Sequence, residues 1–141
     1  MDQEYNNSIS FAPQLTIRNG VMNIDFYKNA FGAVEHFRLN NDDGSVHVAE
    51  FFIGDAMFHL HEETEYSTKI SPEKHNASTV IIGLMTPDVH NVFNQAIAAG
   101  AKVISPVVDY EYGYRQGELR DPFGHHWMME CRIPASPDWK G

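Results

Sequence analysis

Two stretches of the chain repeat one pattern of apolar and polar positions. A strand-like alternation, a polar residue, an amphipathic helical stripe and a glycine follow one another over 14–32 and again over 78–100. The closing glycines, Gly32 and Gly100, lie 68 residues apart, and the same offset carries the tight turn at Gly54-Asp55 onto a second turn. Two copies are too few for a solenoid, so the sequence predicts two similar modules that share one core.

Each copy is predicted to contain a strand, a helix and three further strands. Asn19 and Thr86 are expected to cap the two helices, and Pro106 is expected to end a strand before an irregular segment over 107–113. The polar stretch 62–77 shows no apolar period and is predicted to be a linker. The predicted elements are, in order, strand 14–17, helix 24–31, strands 34–39, 46–53, 56–61 and 78–85, helix 89–99, and strands 102–105, 114–120 and 125–131.

Length and composition fit one domain. The 141 residues, 43% of them hydrophobic, are enough for one core, with module one at about 11–61 and module two at about 78–131. A net charge of −9 argues against nucleic-acid and anionic-membrane partners, which need a basic face. Cys131 has no second cysteine to pair with, and the acidic start, residues 1–4, has no hydrophobic signal segment. The expected location is the cytoplasm.

Alternation along the strands separates a core face from a second face. Phe58 and Leu60 share one face of a strand in module one, and Trp127 and Met129 share one face of the last strand. These apolar faces are expected to pack on the helices, which leaves the opposite faces to line a cavity. The residues expected to line it are Gln14, His59, His61, His126, Met128 and Glu130.

Histidines and carboxylates on the second face are candidates for chemistry. A two-residue turn at Gly54-Asp55 sets a register in which Glu50 stands opposite His59, as a general base or an oriented metal ligand requires. His59 and His61 share a face, and imidazoles suit Zn, Ni, Co or Fe. Each feature has a plainer interpretation: a surface ion pair, ordinary half-buried histidines, or, for Glu130, a solvated strand end.

An aromatic segment with a cation covers 110–115. Its Tyr112 and Arg115 are suited to closing over a planar or anionic ligand, although such tyrosines equally cover a core. His126 is the one of the two adjacent histidines expected to reach the cavity, because neighbouring strand residues point apart. No Gly-rich phosphate loop, Cys-pair zinc spacing or serine-nucleophile elbow is present.

Taken together, these motifs resemble the glyoxalase, bleomycin-resistance and extradiol-dioxygenase superfamily, known for the vicinal oxygen chelate fold. The resemblance covers nearly the whole chain and is closest to the small bacterial glyoxalase-like branch. It implies an α+β fold of two βαβββ modules, which form curved mixed sheets around a cavity and usually assemble as dimers. The segments that carry it are 15–19, 24–33, 53–55, 98–101, Gly113-Tyr114-Arg115 and 121–127.

The resemblance also implies where a metal would bind. Enzymes of the superfamily take one ligand from the first and one from the last strand of each module. On this chain those positions are Ala12, His59, Ile81 and Met128. Of these, His59 alone can bind a metal. A shift of two residues along the same faces, which the family pattern does not require, gives Gln14, His61, Gly83 and Glu130, of which three are possible ligands.

Three functional classes remain open from the sequence. The favoured class is a small-molecule-binding protein without the full metal-ligand set. The alternative is a lyase, isomerase or dioxygenase that uses one divalent metal, Zn, Ni, Co or Fe, on a small oxygen-bearing substrate. A third possibility is an interaction domain with an incidental cavity. The expected partners are a small molecule and an identical chain, in a homodimer. The candidate residues are Glu50 and His59 for catalysis, Gln14, Tyr112, Arg115, His126 and Met128 for ligand binding, and His59, His61 and Glu130 for metal.

Overall fold

The computed structural model describes residues 8–66 and 68–141, so the acidic start lies outside the described residues. Neither α-helix in this part of the chain is long and apolar enough to cross a membrane. The elements are β1 Gln14–Ile17, α1 Phe26–Phe31, β2 Val34–Asn40, β3 Val46–Ile53, β4 Ala56–Glu62, a short 3-10 turn Pro72–Lys74, β5 Ile81–Met85, α2 Val89–Ala98, β6 Lys102–Tyr110, β7 Tyr114–Arg120 and β8 His126–Arg132.

The strands form two four-stranded sheets with the same topology. The strand order is β1-β4-β3-β2 in the first sheet and β5-β8-β7-β6 in the second. In each sheet the first strand pairs in parallel with the last strand of its module, and the other neighbours are antiparallel. This arrangement confirms the predicted α+β fold of two βαβββ modules with mixed sheets.

The residues that cap the helices differ from the prediction. Asn19 caps no helix: its side-chain amide donates to a carboxylate oxygen of Glu62 at 2.9 Å and to the main-chain oxygen of Glu63 at 2.6 Å. Helix α1 starts seven residues later, after Asp25, whose side chain makes no capping bond. Helix α2 is capped by the carboxylate of Asp88, and Thr86 is not its cap. Helix α2 nevertheless begins at Val89, as predicted, whereas α1 begins at Phe26, two residues after the predicted start at 24.

Pro106 does not end its strand, so the predicted irregular segment is wrong. Strand β6 runs from Lys102 through Pro106 to Tyr110. It is an edge strand, and its pairing with β7 shifts register between Ser105 and Val108. Proline is tolerated on a sheet edge at such a bulge because no ladder hydrogen bond is needed from its nitrogen.

One aromatic core joins the modules. The ring of Tyr27 on α1 lies 5.9 Å from that of Trp127 on β8, and the ring of Phe31 lies 4.8 Å from it. The buried hydroxyl of Tyr27 donates to Asp121 of module two at 2.5 Å, and the indole of Trp127 donates to the same carboxylate oxygen at 3.0 Å. Burial, with Asp121 close by, raises the pKa of Tyr27 well above its ordinary value, so the phenol keeps its proton. The modules therefore share their core.

Candidate functional site

Each sheet has one face packed on the helices and one face, the open face, turned away from them. On the first sheet, β1 and β4 place Gln14 opposite His59 and Thr16 opposite His61. Strands β3 and β4 place Glu50 opposite His59, in the register predicted from the two-residue turn. The histidines are half-buried, whereas their neighbours Phe58 and Leu60 are buried in the hydrophobic core. The assignment of faces from alternation therefore holds in module one.

The register of Glu50 and His59 does not join their side chains. The Glu50 carboxylate lies 3.8 Å from Nδ1 of His36 on the neighbouring strand. Within residues 8–66 and 68–141, no hydrogen bond links the Glu50 carboxylate to the His59 imidazole. The His59 ring is thus free to meet a molecule that approaches this face.

Strand pairing identifies the equivalent positions in module two. The pair Gln14 and His59 corresponds to Gly83 and Met128, which face each other across β5 and β8. Glycine has no side-chain donor, and a thioether is a poor ligand for the hard or borderline metals expected of this fold. Among the described residues no group of three His, Cys, Asp or Glu side chains is placed to hold one metal ion. The donor set does not fit a metal bound between the two modules.

The open face of the second sheet carries a hydrogen-bonded row of polar side chains. Nε2 of His126 lies 2.8 Å from a carboxylate oxygen of Glu118. Beside this pair, the Gln116 amide donates to Glu130 at 3.3 Å and accepts from the Tyr112 hydroxyl at 2.8 Å. All but Tyr112 lie on β7 and β8, on the face opposite the buried core. The row leaves carboxylate oxygens available for a ligand.

Glycine makes room beside this row. A Cβ atom at Gly83 would lie 3.0 Å from Oε2 of the Glu130 carboxylate, so a larger residue would displace that carboxylate.

Gln116 and Glu118 are functional candidates that were not predicted from the sequence. On β7, Gln116 pairs with Glu130 of β8 and Glu118 pairs with Met128 of β8. Paired residues lie on the same face of a sheet, so Gln116 and Glu118 share the open face with Met128 and Glu130.

Aromatic rings border the row at one end. Tyr110 and Tyr112 stack with centroids 5.1 Å apart, and Tyr112 lies 6.1 Å from Tyr114 and 6.0 Å from Trp139. Partial desolvation raises the pKa of Tyr112, as do nearby Tyr110 and the carboxylates of the row, so its hydroxyl stays protonated. The rings provide flat surfaces on which a planar molecule can stack.

Arg115 lies on the other side of the sheet. Its guanidinium binds the Asp109 carboxylate through two hydrogen bonds, of 2.6 and 3.0 Å, which raises the pKa of Arg115. Alternation along β7 puts it on the face opposite Gln116 and Glu118. The structure therefore separates Arg115 from Tyr112, although the two were predicted to act together.

A cleft of about 660 Å³ opens between the edge strands β1 and β5, beneath the linker. Gln14 and Thr16 form one wall, and Val80 and Ile82 form the other. The buried His125 bridges the modules there, with Nε2 2.8 Å from the main-chain oxygen of Thr16. Of the six residues predicted to line a cavity, Gln14 borders this cleft and the other five lie on the open faces.

Two buried acidic residues, Glu62 and Glu63, lie where β4 ends and the linker begins. The Glu62 carboxylate accepts hydrogen bonds from Asn19, Asn41 and His47, each at 2.9 Å. Burial alone would raise the pKa of Glu62, but these bonds outweigh it and lower the pKa. Glu63 behaves alike: burial opposes ionisation, but Lys74 and the backbone of Ser71 lower its pKa to about 2. Both side chains are therefore carboxylates at neutral pH.

Comparisons with known proteins agree with this architecture. Residues 14–129 match the family described as the Glyoxalase/Bleomycin resistance protein/Dioxygenase superfamily. An uncharacterized protein of Mycobacterium bovis is 32% identical over 123 residues, which cover 85% of this chain and 81% of the relative. A solved gene product of Arabidopsis thaliana is 26% identical with a TM-score of 0.67, over 86% of this chain and 98% of the other.

A third similar protein is named for the same group. It is a solved glyoxalase/bleomycin resistance protein/dioxygenase family enzyme of Burkholderia phytofirmans, 18% identical with a TM-score of 0.66. The alignment covers 84% of this chain and 94% of that one. At this identity the likeness supports the fold alone.

Proposed function

The chain belongs to the glyoxalase/bleomycin resistance protein/dioxygenase superfamily, and from that premise we propose that it binds a small molecule on the open face of its second sheet. The observation that carries the proposal is the polar row of Gln116, Glu118, His126 and Glu130, beside Met128. A planar molecule would stack on Tyr112 and donate hydrogen bonds to the carboxylates. Arg115 is left out because Asp109 holds it on the other face.

The open face of the first sheet has a secondary part in the proposal. Gln14 lies at the entrance of the neighbouring cleft, and Glu50 and His59, which are not hydrogen-bonded to each other, are separate candidates for proton transfer on that face. The superfamily often uses divalent metals, bound by side chains from both modules. In this chain module two has Gly83 and Met128 at the positions of Gln14 and His59, and neither side chain is a suitable donor. The proposed function therefore includes no metal-dependent step.

Ligand mapping by NMR tests the binding face. A library of small planar molecules, some bearing amines and some bearing carboxylates, is added to ¹⁵N-labelled protein. Amine-bearing members are expected to shift the amide signals of Gly83, Gln116 and Glu130, and Glu130→Gln is expected to weaken their binding at least about fivefold, since a charged hydrogen bond is worth roughly 1.5–3 kcal/mol. Asp55→Asn, which removes a carboxylate from the exposed turn of module one, is the matched control.

Two outcomes would contradict the proposal. The first is a set of ligands that shift only residues of the cleft between β1 and β5. The second is binding that Glu130→Gln leaves unchanged while His59→Ala abolishes it, which would move the site to the first sheet.

We further propose that the chain works as a cytoplasmic homodimer. Phe37 and Leu39 on β2 expose 42% and 49% of their surface on the open face of the first sheet, away from the proposed binding face. Apolar side chains exposed together on a sheet mark a surface that another chain covers. Sedimentation of the 16.0 kDa chain should give about twice that mass, and Phe37→Glu should shift the protein to the monomer. A monomer for the unsubstituted chain would refute this part.

A further inference from the structure

Two histidines lie side by side at the end of the first sheet, apart from the proposed binding face. His47 stands where β3 begins and its pairing with β2 is irregular, and His61 lies near the end of β4. Their ring centroids are 5.0 Å apart, with the planes inclined at 63°. The His47 side chain is 40% exposed, so solutes reach the pair from solvent.

Hydrogen bonds fix which nitrogen of each ring carries the proton. Nδ1 of His47 lies 2.9 Å from the Glu62 carboxylate, and Nδ1 of His61 lies 2.6 Å from the main-chain oxygen of Glu62. A carbonyl oxygen only accepts, and the carboxylate already accepts from Asn19 and Asn41. Both Nδ1 atoms therefore donate, and in the neutral rings both lone pairs lie on Nε2.

This arrangement is the one that prepares histidines to bind metal. Ligating histidines usually donate their other ring nitrogen to a carboxylate or a backbone carbonyl, which sets the tautomer and raises the basicity of the ligand. His47 has the carboxylate and His61 has the carbonyl. Neither Nε2 has a hydrogen-bond partner among the described residues, so both are available.

The spacing of the rings also fits one shared ion. A zinc–nitrogen bond is about 2.0–2.1 Å, which puts each ring centroid about 3.2 Å from the metal. Two such rings at a roughly tetrahedral angle have centroids about 5 Å apart, as observed for His47 and His61. His59 does not share in this geometry, because strand neighbours at i and i+2 are separated by about 6.6 Å along the strand.

We propose that Nε2 of His47 and Nε2 of His61 bind one divalent transition-metal ion of the Zn²⁺, Ni²⁺ and Cu²⁺ class. Water completes the coordination, which leaves positions open for a ligand oxygen. The site takes both protein ligands from module one, on β3 and β4. It therefore differs from a site that draws one ligand from the first and one from the last strand of each module.

The tautomers are tested first, without any metal. Long-range ¹H–¹⁵N correlation spectra of the neutral rings should show both His47 and His61 protonated at Nδ1. Protonation at Nε2 in either ring would overturn the proposal, because that nitrogen would have no lone pair for a metal.

Metal binding is tested by titrating untagged protein with ZnCl₂ alone in a calorimeter. One equivalent is expected to bind, and His47→Gln and His61→Ala should each weaken the affinity at least about tenfold. His47→Gln keeps a donor toward Glu62, so the first sheet stays folded. His36→Ala, another exposed histidine of the same sheet, should bind zinc like the unsubstituted chain.

The contrary results are equally definite. Absence of binding at millimolar zinc, or unchanged affinity in both variants, would overturn the site. Loss of zinc in His59→Ala with affinity kept in His47→Gln would place the ion at the other end of the face and would also overturn it. None of these results depends on the small-molecule ligand, so the proposed function is judged separately.

Discussion

The two modules agree on the faces that pack together and differ on the faces that remain open. On the core side, the pair Leu15 and Leu60 corresponds to the pair Leu84 and Met129. The last strand of each module also buries an aromatic ring, Phe58 on β4 and Trp127 on β8. The pattern is the same in both modules because these side chains all belong to the hydrophobic core or pack against it.

On the open side the correspondence is lost. Gln14 and His59 stand where module two has Gly83 and Met128, and His61 stands where module two has Glu130. These positions lie on the open faces, outside the core, so their chemistry can change with less effect on the fold. The two sheets therefore share the residues that build the core, and they differ in the residues on their open faces, where a ligand could bind.

The largest expected effect comes from removing the carboxylate of Asp121, which links Tyr27 of module one to Trp127 of module two. Asp121→Ala removes an acceptor shared by the Tyr27 hydroxyl, the Trp127 indole and the backbone N–H groups of Phe123 and His125. Leaving these buried donors unpaired should lower the free energy of unfolding by about 3 kcal/mol or more. Urea denaturation measures it. Asp55→Ala, in the exposed turn of module one, is the control and should change little; equal losses in both variants would contradict the assigned link.

The next prediction sharpens the comparison of the two core faces. Gly117 stands opposite Met129, where module one has Ala49 opposite Leu60. A Cβ at Gly117 would meet Val107 at 2.7 Å and Phe93 at 2.9 Å. Gly117→Ala should therefore destabilise the protein by about 1–3 kcal/mol through overpacking.

The reciprocal change is its control. Ala49→Gly should cost only about 1 kcal/mol, from the lost methyl group and the added backbone freedom. Thermal unfolding of both variants measures the difference, and a neutral Gly117→Ala would show that α2 can move away from its sheet.

The third prediction concerns pH and the linker that follows module one, which has no counterpart after module two. Glu63 has a pKa of about 2 in the folded chain against 4.5 ordinarily, so it stabilises the fold fully above pH 4.5, and this contribution is lost as pH falls through about 2. Its partner Lys74 is exposed, so the contribution is reduced by solvent to about 1–2 kcal/mol.

Glu63→Gln should lower the stability at pH 7 and flatten its decline between pH 4.5 and 2, as followed by urea denaturation at several pH values. Glu65→Gln, exposed in the same loop, should behave like the unsubstituted chain. An unchanged acid profile in Glu63→Gln would count against the assigned hydrogen bonds.

The smallest effect compares the two helix starts. Asp88 caps α2 through a long bond of 3.4 Å from the Asn91 amide, whereas Asp25 makes no capping bond on α1. Asp88→Ala should cost about 0.5–1 kcal/mol and Asp25→Ala close to nothing. Chemical denaturation resolves the two, and a larger loss at Asp25 would reverse the assignment.

Local rules predicted whatever depends on local spacing. The two-residue turn at Gly54-Asp55 gave the register of Glu50 with His59, and alternation gave the buried Phe58 and Trp127. The sequence was insufficient for features that depend on which strands pair. Pro106 was predicted to end its strand because its position on the edge of the sheet is not visible in the sequence.

The site was only partly predictable for the same reason. His126 and Glu130 followed from alternation, but the partner Glu118 depends on how β7 pairs with β8. The pair of His47 and His61 arises from an irregularity in β3 that no period reveals. The bond from Tyr27 to Asp121 joins residues of different modules, and neither has a neighbour in sequence that signals it.

That last bond has a consequence for how the chain is made. Tyr27 leaves the ribosome long before Asp121, and 94 residues separate them. At roughly 5–20 residues per second, the phenol waits about 5–20 s for its acceptor and for the ring of Trp127. During synthesis the first module therefore holds an incomplete aromatic core, which is completed only after Asp121 and Trp127 have been translated.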